Sequence, residues 1–129
     1  NFVLNMTVLG GISRTLKFIA ACEQMGNGFW CYSGETGVGS AAYLHVVAAT
    51  RHIHEPSQSL FRFQIDDVIE DGPFKPKNNV LRVPEGPGLG VTLSKTGLKR
   101  CHERFLKEGP YDQYYNPDQP GMYIRVPHN

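Results

Sequence analysis

The sequence predicts an α/β protein in which a small parallel sheet is covered by helices. Three observations carry this. Strand-like and helix-like segments alternate through the first 68 residues. The connections between them are short and rich in glycine. The second helical segment is apolar on most sides, so its burial against a sheet is expected.

The elements follow in order. Asn1 to Met6 reads as a buried strand, and Gly10-Gly11 as a turn. From Ile12 to Met25, Ile12, Leu16, Ile19 and Ala20 recur at helical spacing and predict one apolar stripe. Gly26 and Gly28 are helix stop signals. Phe29-Trp30-Cys31-Tyr32 is a short apolar strand, followed by the Gly-rich turn Ser33 to Gly39. Ser40 to His52 is a second, largely buried helix, and Ser59 to Val68 reads as a third strand. Strand, helix, strand, helix, strand with short links argues for right-handed βαβ units. After Val68 the pattern changes. Glu70 to Pro73 is a turn, Asn79 to Pro84 a short strand, and Glu85 to Val91 a loop too rich in Gly and Pro for a regular element. Leu98, Cys101 and Phe105 then mark one face of a third helix closed by Gly109, and the last twenty residues read as an irregular tail. The expected division is therefore residues 1–69 as βα units and 70–129 as a C-terminal extension.

Composition excludes several classes. Hydrophobic residues make up 40% of the chain, which argues for a packed core and against disorder. The net charge is +1 with both signs interspersed, so no global field steers nucleic acid or a membrane to the protein. The basic run from Lys95 to Lys107 carries Glu103 and reads as a solvated helix face. Cys22, Cys31 and Cys101 form no disulfide framework, which fits a reducing cytoplasm. No leader pattern or apolar run near the ~18 residues of a membrane span is present. A chain that opens inside a strand is expected to be part of something longer. Three strands also leave open edges, whereas a closed parallel barrel needs about eight.

Read together, the segments resemble a known family. Leu9-Gly10-Gly11-Ile12 before an amphipathic helix, Tyr32 to His45, and Asp66-Asp67-Val68-Ile69 with Asp71-Gly72 occur in the order of the enolase superfamily. The most specific match is Val83-Pro84-Glu85-Gly86-Pro87-Gly88-Leu89-Gly90-Val91, which resembles that superfamily's VP-x-x-PGLGV stretch. The resemblance covers roughly residues 1–108 and looks closest to the glucarate-dehydratase-like acid-sugar dehydratases. It implies the C-terminal part of a (β/α)-barrel, about strands six to eight, with an extension that packs on a capping domain. It also implies a small-molecule acid-sugar substrate, dehydration through an enediolate, a homo-oligomeric full-length protein, and Mg²⁺ held by carboxylates upstream of residue 1. No metal ligand is expected within this segment.

Barrel active sites lie at the C-terminal ends of strands. In the dehydratase pattern an Asp on strand six orients a His on strand seven. Counting from Gly10-Gly11 and from the Ser33 loop, those positions fall on Asn5 and Tyr32. Asn5 carries no charge, and an unperturbed tyrosine titrates near ~10 against ~6.5 for histidine. Tyr32 is thus a poor base but can donate a proton to a departing hydroxide; its bland alternative is packing. Glu35 is a candidate to orient a substrate hydroxyl, or a solvated loop carboxylate. Ser33 is a candidate to bind a sugar hydroxyl, or a turn cap. Arg62 is a candidate fork for a substrate carboxylate, or an outward-facing structural residue. Phe61 stands near where relatives place a strand-eight carboxylate. His52-Ile53-His54 and Cys101-His102 match no zinc spacing, and His45 reads as a satisfied core histidine. The replaced pair also motivates a second function class, a catalytically lapsed segment serving as a binding or scaffold protein.

Overall fold

The computed structural model describes residues 1–33, 35–53, 55–59, 64, 66–109, 113–115 and 123–125. Three parallel strands lie in the order β1 (Phe2–Asn5), β2 (Phe29–Ser33), β3 (Gln58–Ser59). The register pairs Leu4 with Cys31, Asn5 with Tyr32, and Ser33 with Ser59. The short helix α1 (Met6–Leu9) and then α2 (Ile12–Gln24) link β1 to β2, and α3 (Gly37–Ala49) links β2 to β3. The parallel βαβ architecture read from the alternation is therefore borne out.

One face of the sheet carries the core. Leu4, Phe29 and Cys31 are buried against Ile19 and Cys22 of α2 and Tyr43, Leu44 and Val46 of α3. Each such aliphatic side chain contributes about 1.5–3 kcal/mol on burial. The Phe2 ring meets Phe18 of α2 edge-on at 5.5 Å, so it shares the helix-covered face with Leu4. Tyr43 brings a polar atom into this core and satisfies it. Its hydroxyl lies 3.0 Å from the carbonyl oxygen of Cys31 and 3.3 Å from that of Gln58. Burial pushes its phenol up to about 12.

Several expectations are corrected. The buried stripe of α2 runs through Thr15, Ile19 and Cys22, whereas Ile12 and Leu16 are each 43% exposed. The stripe is rotated because Thr15 can be buried at little cost: its hydroxyl donates to the Gly11 carbonyl at 2.9 Å. The second helix begins at Gly37 and ends at Ala49, earlier than Ser40 to His52. The third strand pairs at Gln58–Ser59, and Gln64, Asp66 and Asp67 lie outside any strand. Residues 60–63 and 65, which fall within the expected strand, lie outside the described residues. The expected strand at Asn79 to Pro84 reduces to a single bridge between Lys77 and Val80, because left-handed Asn78 and Asn79 turn the chain there. The tail is not wholly irregular: β4 (Gln113–Tyr115) and β5 (Tyr123–Arg125) pair antiparallel, in segments whose aromatic and β-branched residues suit strands.

The extension docks at two places. Gly90 (φ +68°) folds the Pro-Gly-rich loop so tightly that a Cβ there would lie 2.7 Å from the Pro84 backbone. His45 Nε2 of α3 sits 3.2 Å from the Leu89 carbonyl oxygen and pins that loop, the satisfied role read for it. Further on, Ile69 bridges Leu93, and the Ser94 amide donates to Val68 at 2.9 Å. This brings helix α4 (Lys95–Glu108), capped by Ser94, beside Asp66, whose carboxylate receives the guanidinium groups of Arg100 and Arg104. The face marked by Leu98 and Phe105 is half exposed. Among the described residues no helix is long and apolar enough to cross a membrane.

Candidate functional site

Parallel pairing brings the C-terminal ends of β1 and β2 to the same edge of the sheet. Phe29, Cys31 and Ser33 are buried on the helix side, and alternation sends Trp30 and Tyr32 to the other face. The same parity places Val3 and Asn5 there, opposite Trp30 and Tyr32 in register. The two residues expected to form a pair therefore sit side by side at the strand ends, both half-buried.

Asn5 has a second task. Its Oδ1 accepts the backbone N–H of Thr7 at 2.9 Å and of Val8 at 3.3 Å, so it is the N-cap of α1. Two backbone donors fix that atom as the oxygen, and the Thr7 hydroxyl contacts it as well. Gly10 (φ +88°) closes α1, since its left-handed conformation suits glycine.

Glu35 lies beside this cap. The Ser33 hydroxyl donates to its Oε2 at 2.7 Å, and the Thr7 hydroxyl lies 3.1 Å from its Oε1. Its backbone carbonyl accepts from the Ser40 hydroxyl at 2.7 Å and from Gln64 Nε2 at 2.6 Å. Ser33 is fully buried with its hydroxyl engaged on Glu35, so in this geometry it holds the turn. Next along the chain, Asp67 receives the Gly37 amide on both oxygens, at 2.8 and 3.0 Å. Thr36, the N-cap of α3, supplies no side-chain bond, so Asp67 caps that helix from thirty residues away. Arg62, Phe61 and His54 lie outside the described residues.

Sequence reasoning named Asn5, Tyr32, Ser33 and Glu35, and the structure gathers them at one edge. It missed Thr7, Ser40, Gln64 and Asp67. A signal existed for the first: Asn5 and Gly10 bracket four residues as a cap pair, which places Thr7 in the first turn of a helix. Nothing local marks Asp67. Among the described residues no group of three His, Cys, Asp or Glu is placed to hold a metal ion. Mg²⁺ therefore does not fit the described residues of this segment.

Three parallel strands with βα crossovers and polar groups at the strand C-termini define a portion of a (β/α)-barrel enzyme. The chain belongs to the enolase superfamily: the family model described as "Enolase C-terminal domain-like" matches residues 2–97. A probable glucarate dehydratase of Streptomyces coelicolor is 31% identical over 100 residues, covering 77% of this chain and 23% of that protein. A chloromuconate cycloisomerase of Pseudomonas putida is 31% identical over 101 residues, covering 76% and 27%. The structure of an enolase from Pseudomonas fluorescens with bound magnesium, potassium and tartrate superposes with a TM-score of 0.72 at 25% identity, covering 78% of this chain and 24% of that one. The chain thus spans about a quarter of the length of the relatives it matches.

Proposed function

We propose that this chain is the C-terminal barrel segment of an acid-sugar dehydratase, whose Mg²⁺ ligands are carried by residues outside it. The reaction removes the proton next to a carboxylate and expels a β-hydroxyl as water. The observation that carries this reading is the in-register pair Asn5 and Tyr32 at the strand ends, with Glu35 held beside it.

The polarity of that pair favours proton donation by Tyr32. Asn5 Oδ1 is engaged as a cap, so the group Asn5 has left to offer is Nδ2–H, a donor. A tyrosine oxygen that accepts from an amide still holds its own proton to give onward. That proton converts a departing hydroxide to water, and the phenol is then reprotonated from solvent. An Asp–His pair works in the opposite sense, the carboxylate accepting from the imidazole. The dehydratase relative and the tartrate, a hydroxydicarboxylate, in a structural relative support the substrate class. The cycloisomerase relative makes the chemistry a question for experiment.

The test is a screen of the full-length protein against aldaric and aldonic acids with Mg²⁺. Turnover to a dehydrated keto acid is expected. Tyr32→Phe should then lower kcat by roughly 10²–10⁴ with KM changed less. The uncharged Asn5 favours one second reading, a lapsed binding or scaffold protein, and failure to turn over any acid sugar would select it.

A further inference from the structure

Thr7 lies at a junction that neither the strand pairing nor the proposed chemistry accounts for. It is exposed, in the first turn of a four-residue helix, yet its hydroxyl reaches Glu35, twenty-eight residues on. The same hydroxyl contacts Asn5 Oδ1, which is fixed as an acceptor by two backbone N–H groups. A threonine hydroxyl has one proton and two lone pairs, so that proton can serve one of these contacts at a time.

We propose that Thr7 is a positioning residue that holds Glu35 in both of the carboxyl group's protonation states. The proposal rests on the reading of Glu35 as a substrate-facing group of the site. When Glu35 is ionised, the Thr7 proton points to Oε1. When Glu35 is protonated, it donates to Thr7 Oγ1, whose own proton turns to Asn5 Oδ1. The contact between Thr7 and Glu35 survives either way, which is what a carboxyl group that binds and releases substrate hydroxyls or protons requires. The arrangement also ties the end of β1 to the loop after β2. Ser33 orients the other carboxyl oxygen, and Ser40 and Gln64 hold the Glu35 backbone, so Thr7 completes a grip drawn from four segments.

The experiment compares Thr7→Val, which removes the hydroxyl at nearly constant shape, with Thr7→Ser, which keeps it, both in the full-length protein. Two readouts are taken: the pH dependence of kcat/KM on the acid sugar the screen identifies, and backbone hydrogen exchange of residues 35–40. Thr7→Val should lower kcat/KM roughly 10- to 100-fold, the range for losing a hydrogen bond to a charged group. It should also move the acid limb of the profile to higher pH, because the ionised carboxylate has lost a donor. Exchange of residues 35–40 should quicken in Thr7→Val, whereas Thr7→Ser should follow the wild type in both readouts. Wild-type exchange and an unmoved acid limb in Thr7→Val would overturn the proposal, as would a serine variant as impaired as the valine one. If the full-length protein turns over no acid sugar, the dehydratase reading fails, and the exchange comparison alone decides the role of Thr7.

Discussion

Replacing Asp67 by alanine should loosen the start of α3 and the site loop with it. The Asp67 side chain is buried, with the residue 4% exposed, and its Oδ1 accepts the amides of Gly37 at 2.8 Å and Val68 at 2.6 Å. Alanine leaves the buried Gly37 N–H without its acceptor, at a cost of about 1–3 kcal/mol. Loss of a helix N-cap costs about 0.5–2 kcal/mol by itself, but it is the same bond and is not added again. Loss of negative charge at the helix N-terminus adds about 0.3–1 kcal/mol. The expected total is about 2–3 kcal/mol for Asp67→Ala. Asp67→Asn keeps an acceptor for Gly37 and should lose about 1 kcal/mol. Native-state hydrogen exchange at Gly37 to Ser40 reads this directly, because every 1.4 kcal/mol is about a tenfold loss of protection. Gly37→Ala is the companion. Its Cβ would stand 2.3 Å from Ile69 Cδ1 and 3.0 Å from Asp67 Oδ1, so it should destabilise by about 1–3 kcal/mol. The two substitutions touch, so their combined effect should fall short of the sum. Wild-type protection in Asp67→Ala, or an asparagine variant as weak as alanine, would refute the capping argument.

Hydrogen bonds from Arg100, followed by those from the Asp67 amide and Arg104, hold the Asp66 carboxyl well below its ordinary value of 3.8. A depressed folded pKa contributes stability that is present above the unfolded value and lost as pH falls below it. Asp66→Asn should therefore unfold less steeply with acid below about pH 4 and be weaker at neutral pH; an unchanged acid transition by circular dichroism would count against the pairing. Burial pushes the Cys31 thiol up to about 11 and raises that of Cys22, so at pH 8 an alkylating reagent should modify the half-buried Cys101 first. Mass spectrometry showing Cys31 modified at the rate of a free thiol in the folded protein would contradict its burial.

Most of the fold was legible because it rests on local periodicity. The strand at Phe29 to Tyr32 is four apolar residues between glycines, and α3 is apolar enough to be placed in the core from composition alone. The misread stripe of α2 shows the limit of that reasoning. Hydropathy ranks Leu16 above Thr15, but burial is decided by whether the polar atom finds a partner. The Gly11 carbonyl one turn back provides it. The β3 strand was misjudged for a related reason: an apolar run shows that residues are buried, whereas ladder pairing depends on the neighbouring strand. β2 ends at Ser33, and the printed register exhausts it at Ser59.

The site was legible as positions and illegible as bonds. Counting from Gly10-Gly11 finds Asn5, and counting from the Ser33 turn finds Tyr32, because both turns immediately follow strand ends. What Asn5 does there could not be counted. An asparagine at a barrel strand end looks like an aspartate that has lost its charge. Its oxygen nevertheless keeps the part of the aspartate's chemistry that the backbone needs, accepting two amide protons at the start of α1. An aspartate could do the same with one oxygen and keep the other free. The change from acid to amide thus leaves the cap intact and alters only the outward-facing group, from an acceptor to a donor. That is why the residue can be exchanged without unfolding the strand end, and why its partner Tyr32 is better suited to give a proton than to take one. The long-range contacts, Thr7 with Glu35 and Asp67 with Gly37, complete the site by joining segments twenty-eight and thirty residues apart. Such pairs leave no periodic trace, since it is the fold and not the local sequence that makes them neighbours.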